Sequence, residues 1–240
     1  MFPANDTASN SAFMLKQSIF KGTWGLKGPV VTLALLFPLV YVTGLGLTRW
    51  APYLYPTGSG LVILFLVLFK KATWEQLGMH REYWKQNLIL GGLVGGLIIV
   101  AVPLLDLLIE ASGMGRTELF TGAEKRFSDG SGNNISFGVH LAIVTGITLA
   151  EQLFLTGYLL QALLRKTKPS LAIYLGGIIF TLVHFDLELG LFILGLTASG
   201  FYFMTGSLIA PLIFQIACHT AGWLLTHHYP RVFTLLGFLF

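Results

Sequence analysis

A single cysteine, Cys218, stands in the 240-residue chain, so no disulfide can form within it. Charge is scarce too. Asp, Glu, Lys and Arg make up 11% of the residues, against about 25% in a typical soluble domain. Between residues 189 and 230 none of the four occurs. The apolar runs are continuous, without the alternating polarity of strands that wall a membrane barrel, which excludes a transmembrane β-barrel. No cleavable leader is evident at the polar N-terminus. No internal repeat is visible, which weighs against a transporter built on paired broken helices. The net charge of +4 does not point to nucleic acid, because the basic residues flank apolar spans instead of forming a patch.

What is there is hydrocarbon. Hydrophobic residues make up 54% of the chain. The expected fold class is all-α, a polytopic transmembrane helix bundle of about seven spans plus an interfacial helix. Spans are expected at 28–48, 51–69, 87–108, 135–164 and 169–185, with two more inside 189–230, each near the ~20 residues a bilayer demands. Thr205, Gly206 and Ser207 mark the turn between the last two. Mixed residues over 70–86 predict an amphipathic interfacial helix. Gly91, Gly92, Gly95 and Gly96 offer a small-residue face for close helix packing. The polar loop over 110–134 is a connector or a lid. Residues 1–134 form an N-terminal membrane-embedded part and 135–230 a core, within one membrane domain. With the N-terminus inside, ten Lys and Arg fall on the cytoplasmic side and five on the other. The chain is therefore expected in the membrane, multi-pass, with its N-terminus cytoplasmic.

Glu151 is the only carboxylate between residues 135 and 164. An ionisable group inside hydrocarbon costs at least about 2.5–3.5 kcal/mol on insertion scales, so it reads as a functional site by default. His184 and His219 lie deep in later spans. Counted at about 1.5 Å per residue, Glu151, His184 and His219 sit roughly 20, 22 and 16 Å from the inner ends of their helices. Similar depth suggests one shared site.

Glu151-Gln152-x-x-x-Thr156, Phe180-x-x-x-His184, and His219 followed by Trp223 come in that order on three helices. Gly157 to Arg165 and Thr205 to Pro211 frame them. This pattern resembles the CAAX protease and bacteriocin-processing family of intramembrane proteases, over about residues 135–228. Two positions depart from the family's Glu-Glu-x-x-x-Arg motif: Gln152 replaces the second Glu and Thr156 the Arg. Gly222 and Trp223 stand where an Asn is expected. Residues 152 and 156 share a helix face, and losing both members of a buried ion pair is far cheaper than losing one. The double change reads as the loss of a structural unit.

The resemblance implies peptide-bond hydrolysis in the membrane, on a membrane-associated peptide or protein substrate. Glu151 would activate water, with His184 and His219 assisting and Gln152, Thr156, Phe180 and Trp223 in support. No cofactor is expected. The alternative is a divalent metal such as zinc held by Glu151, His184 and His219, but that route wants a second carboxylate as base, and Gln152 cannot serve. Two other readings stay open. One is an inactive member of the same fold that binds a membrane peptide or partner. The other is a proton- or ion-coupled transporter using Glu151.

Overall fold

In the computed structural model, residues 24–45, 51–79, 83–113, 136–185 and 188–232 are described. They form seven main helices: α1 Lys27–Gly44, α2 Ala51–Leu68, α3 Trp84–Ala111, α4 Phe137–Lys166, α5 Pro169–Val183, α6 Leu189–Thr205 and α7 Ile209–His227. No strand occurs among the described residues. The expected all-helical bundle is therefore what the chain builds. Three helices, α3, α4 and α7, are long and apolar enough to cross a membrane, and the other four are shorter apolar helices. Large apolar side chains such as Leu35, Leu61, Leu93 and Leu97 point outward. Such a surface suits lipid, where each helix satisfies its own backbone hydrogen bonds. The expected loop over 110–134 lies outside the described residues beyond Gly113.

α4 is the axis of the bundle. Every residue from 151 to 164 is buried. A helix apolar on all sides must be enclosed on all sides, and α1, α2, α5 and α6 pack around it. Its middle is not α-helical: Gln152–Leu160 winds as a π-helix between the α-helical stretches Phe137–Glu151 and Gln161–Lys166. π-bulges in α-helices concentrate at functional sites.

Among the described residues of the interfacial helix expected over 70–86, residues 70–79 are not helical. Residues 69–78 are turns and bends, and the next described helix starts at Trp84. Lys70 and Tyr83 adopt left-handed backbone, as does Gly78, which breaks any continuous helix. The segment has tertiary partners that a helix would deny it. Gln161 donates its side-chain amide to the Gln76 carbonyl at 2.8 Å, and the Leu208 N–H donates to the Gly78 carbonyl at 2.9 Å. Leu77 is fully buried. Amphipathic composition was real, but the backbone carbonyls are spent on α4 and the α6–α7 turn. That turn falls as expected at Thr205, Gly206 and Ser207, with Gly206 at φ 68°.

The glycine face of α3 divides in two. A Cβ on Gly91 would strike the Ala210 backbone, and one on Gly95 would strike the Ala217 side chain, whereas Gly92 and Gly96 meet open space. Only Gly91 and Gly95 let α3 and α7 approach closely. Gly91→Ala and Gly95→Ala should each destabilise the bundle by about 1–3 kcal/mol through overpacking. Gly92→Ala and Gly96→Ala should not. Thermal unfolding of the purified protein in detergent reads the difference.

Candidate functional site

Glu151 sits where α4 changes from α to π winding, and its side chain is 3% exposed. A buried carboxylate survives only if hydrogen bonds replace its lost water. Two helices supply them. From α7, the side-chain amide of Gln215 donates to Glu151 Oε2 at 3.2 Å. From the C-terminal end of α5, His184 brings Nε2 to 3.6 Å from Glu151 Oε1.

The Gln215 contact ends a longer chain. Thr156 donates its hydroxyl to Gln152 Oε1 at 2.7 Å. Gln152 donates its amide to Gln215 Oε1, and Gln215 donates to Glu151. All three donations run one way, toward the carboxylate. Gln152, Thr156 and Gln215 are buried, Gln215 completely. The structural unit that the double change seemed to remove is therefore present in neutral form. Gln152 and Thr156 still bond across one turn of α4, and Gln215 carries their polarity to Glu151. An Arg in place of Thr156 would need a second carboxylate beside it; two amides and a hydroxyl need none.

His184 is fixed by its own helix. Its Nδ1 lies 2.8 Å from the Phe180 carbonyl. A carbonyl only accepts, so Nδ1 carries a proton, and a neutral ring presents the lone pair of Nε2 toward Glu151. The Phe180 ring packs on the imidazole, with centroids 4.5 Å apart, as the four-residue spacing suggests. The structure thus brings Glu151, Gln152, Thr156, Phe180 and His184 together.

Among the described residues His219 makes no direct contact of this kind with the carboxylate: no hydrogen bond or ion pair joins it to Glu151. It lies within electrostatic reach of His184 and His140, and its Nε2 is buried without a hydrogen-bond partner among the described residues. Trp223, one turn further along α7, packs in an aromatic group. Its ring stacks on His227 at 4.7 Å and tilts against Phe137 at 5.1 Å, with His140 and His228 beside it. Among the described residues no group of three or more His, Cys, Asp or Glu side chains is placed to hold a metal ion. Glu151 and His184 approach as a pair, and His219 does not complete a ligand set with them.

Residues 133–221 match the family described as Rce1-like, the type II CAAX prenyl endopeptidase Rce1-like proteins. This match supports assigning the core to the CAAX protease and bacteriocin-processing family that its motifs resemble. No curated protein and no solved structure matches the chain. At the level of the family, the match supports a CAAX protease-like membrane protein. The matched region holds Glu151, Gln152, Thr156, Phe180, His184, Gln215 and His219.

Gln215 is the residue that reading by charge misses. Its signal was available: an amide in a run without Asp, Glu, Lys or Arg, one helical turn before His219 and therefore on the same face of α7. Replacing it with Leu leaves the Gln152 amide and Glu151 Oε2 each short of a partner. Gln215→Leu should destabilise the fold by about 1–3 kcal/mol. In a double-mutant cycle with Gln152→Leu, the coupling should be about 0.5–3 kcal/mol, measured by thermal or denaturant unfolding in mixed micelles. Strict additivity would show that the two amides act independently.

Proposed function

We propose that the protein is an intramembrane endopeptidase that hydrolyses a membrane-associated peptide, with Glu151 as the general base. The observation that carries this reading is the 3.6 Å approach of Glu151 Oε1 and His184 Nε2. The distance is too long for a direct hydrogen bond. Both atoms are acceptors when Glu151 is ionised and His184 is neutral with its proton on Nδ1. Two acceptors facing each other call for a donor between them, and one water meets that need by giving a hydrogen to each.

In the reaction this water is the nucleophile. Glu151 takes one of its protons as the oxygen attacks the scissile carbonyl carbon, and the carbonyl π pair moves onto oxygen to form an oxyanion. The carbon–nitrogen bond then breaks, its electron pair goes to nitrogen, and the proton held by Glu151 passes to the leaving amine. Water and peptide become acid and amine, and Glu151 returns to its starting state. His184 orients the water and compensates the charge that develops beside it. His219 brings an unpartnered Nε2, suited to donating to the oxyanion in the tautomer protonated there. This route needs one carboxylate and no metal, and it is indifferent to Gln152. The chain would be multi-pass with its N-terminus cytoplasmic, following the ten-to-five distribution of Lys and Arg. The name of the matched family makes a C-terminally prenylated peptide the first substrate to try.

One observation favours a second reading, a non-catalytic member that binds a membrane peptide or partner. The hydrogen-bonded chain from Thr156 to Glu151 is complete and neutral apart from the carboxylate, as a purely structural network would also be.

Purified protein in proteoliposomes, given a prenylated peptide, separates the two. The catalytic reading expects cleavage that survives chelators, vanishes in Glu151→Ala and falls by about 10²–10⁴-fold in His184→Ala. Cleavage abolished by chelators and restored by zinc would replace it with the metal route. No cleavage by the wild type, but cleavage gained in Gln152→Glu with Thr156→Arg, would identify a binding protein descended from a protease.

A further inference from the structure

Among the described residues four buried polar atoms lack partners: Tyr55 Oη, Thr148 Oγ1, His140 Nε2 and the His219 Nε2 already given a role above. Thr148 lies one turn from Glu151 on α4, and Tyr55 lies within electrostatic reach of it. Thr148 is fully buried. Helical threonines in this protein commonly donate to the carbonyl one turn back, as Thr145, Thr181, Thr205, Thr220 and Thr226 do. Thr148 does not. Its hydroxyl is left unspent one turn from the carboxylate.

Tyr55 arrives from α2, outside the region that matches the family. Its side chain is 2% exposed. α2 is held close to this part of α4: a Cβ on Gly60 would come within 3.2 Å of the Ala150 side chain, next to Glu151. Tyr55 and Glu151 lie near enough to interact electrostatically. A tyrosine hydroxyl that is buried ordinarily finds a partner. An unpartnered phenol within electrostatic reach of a buried carboxylate, on a helix packed against that carboxylate's own, is a donor held ready for something that enters the site.

Beside His219, the site has room for a second such donor. The motif's Asn is replaced by Gly222 and Trp223, and the Trp223 ring is occupied in its stack with His227. We propose that Tyr55 is a catalytic hydrogen-bond donor: its phenol O–H donates to the carbonyl oxygen of the scissile bond as that oxygen becomes negative. The inference rests on the hydrolytic reading. Tyr55 neither gains nor loses a proton overall; it donates to the oxyanion during attack and is released when the carbon–nitrogen bond breaks.

Tyr55→Phe removes only the hydroxyl. With the prenylated peptide in proteoliposomes, kcat should fall by about 10²–10³-fold, while KM and the affinity for uncleaved peptide stay unchanged. The Tm should hold or rise, because the deleted group has no partner in the resting protein. A peptide carrying a hydrated difluoroketone at the scissile position mimics the tetrahedral species, and it should bind the variant more weakly than the wild type. A fluorotyrosine at position 55, which keeps the O–H, should restore kcat. Wild-type cleavage that is lost in Glu151→Ala but unchanged in Tyr55→Phe would overturn the role of Tyr55 and leave the hydrolytic reading standing. A loss of activity accompanied by a lower Tm and weaker binding of uncleaved peptide would make Tyr55 a packing residue and overturn the proposal. Absence of wild-type cleavage would overturn both readings together.

Discussion

A carboxylate in hydrocarbon must be solvated by protein, and the bundle is arranged around that demand. Glu151 is 3% exposed, and the groups that replace its water come from α5 and α7. Neither helix is next to α4 by chance. α5 follows α4 after a two-residue break and returns His184 to the level of the carboxylate. α7 is drawn in by α3, whose Gly91 and Gly95 allow contact down to the backbone and the smallest side chains. Loosening that glycine contact would move Gln215 and with it one oxygen of Glu151. Packing at the bundle's edge and electrostatics at its centre are the same problem.

The neutral character of the network follows from the same demand. A second buried carboxylate must be matched by a cation, and each costs several kcal/mol to desolvate. Here two amides and a hydroxyl provide orientation without adding charge. Each donates toward Glu151, so the network is oriented on the carboxylate without a counter-charge. The carboxylate therefore keeps a directed environment although the family's ion-pair residues are absent.

Much of this was legible in the chain. The apolar helices, the turn at Thr205 to Ser207 and the choice of Glu151 and His184 follow from hydropathy, turn chemistry, the cost of an intramembrane charge and the family motif. Other features were hidden for physical reasons. Gln215 has no formal charge, so a search for costly ions passes over it, although an unpaired amide in lipid is costly too. Tyr55 sits in an unremarkable aromatic and aliphatic helix, and only its lack of a partner in three dimensions distinguishes it. The segment 69–79 has the composition of an amphipathic helix but spends its carbonyls on Gln161 and Leu208. The π stretch was invisible because periodicity betrays winding only when one face differs from another. In a run buried on every side, no face differs.

That π stretch sets a phase relation along α4. Glu151 marks its upstream border, and Gln161, bonded to the Gln76 carbonyl and to the Tyr202 hydroxyl, marks its downstream one. An α-helix turns by about 100° per residue. Deleting any one residue between the borders to regularise the winding would swing one end against the other by about that angle. The carboxylate could keep Gln215 and His184, or Gln161 could keep its two partners, but not both. The widened coil acts as a fixed rotational offset, like a keyed coupling in a shaft, that lets two separately anchored ends of one helix face their own neighbours.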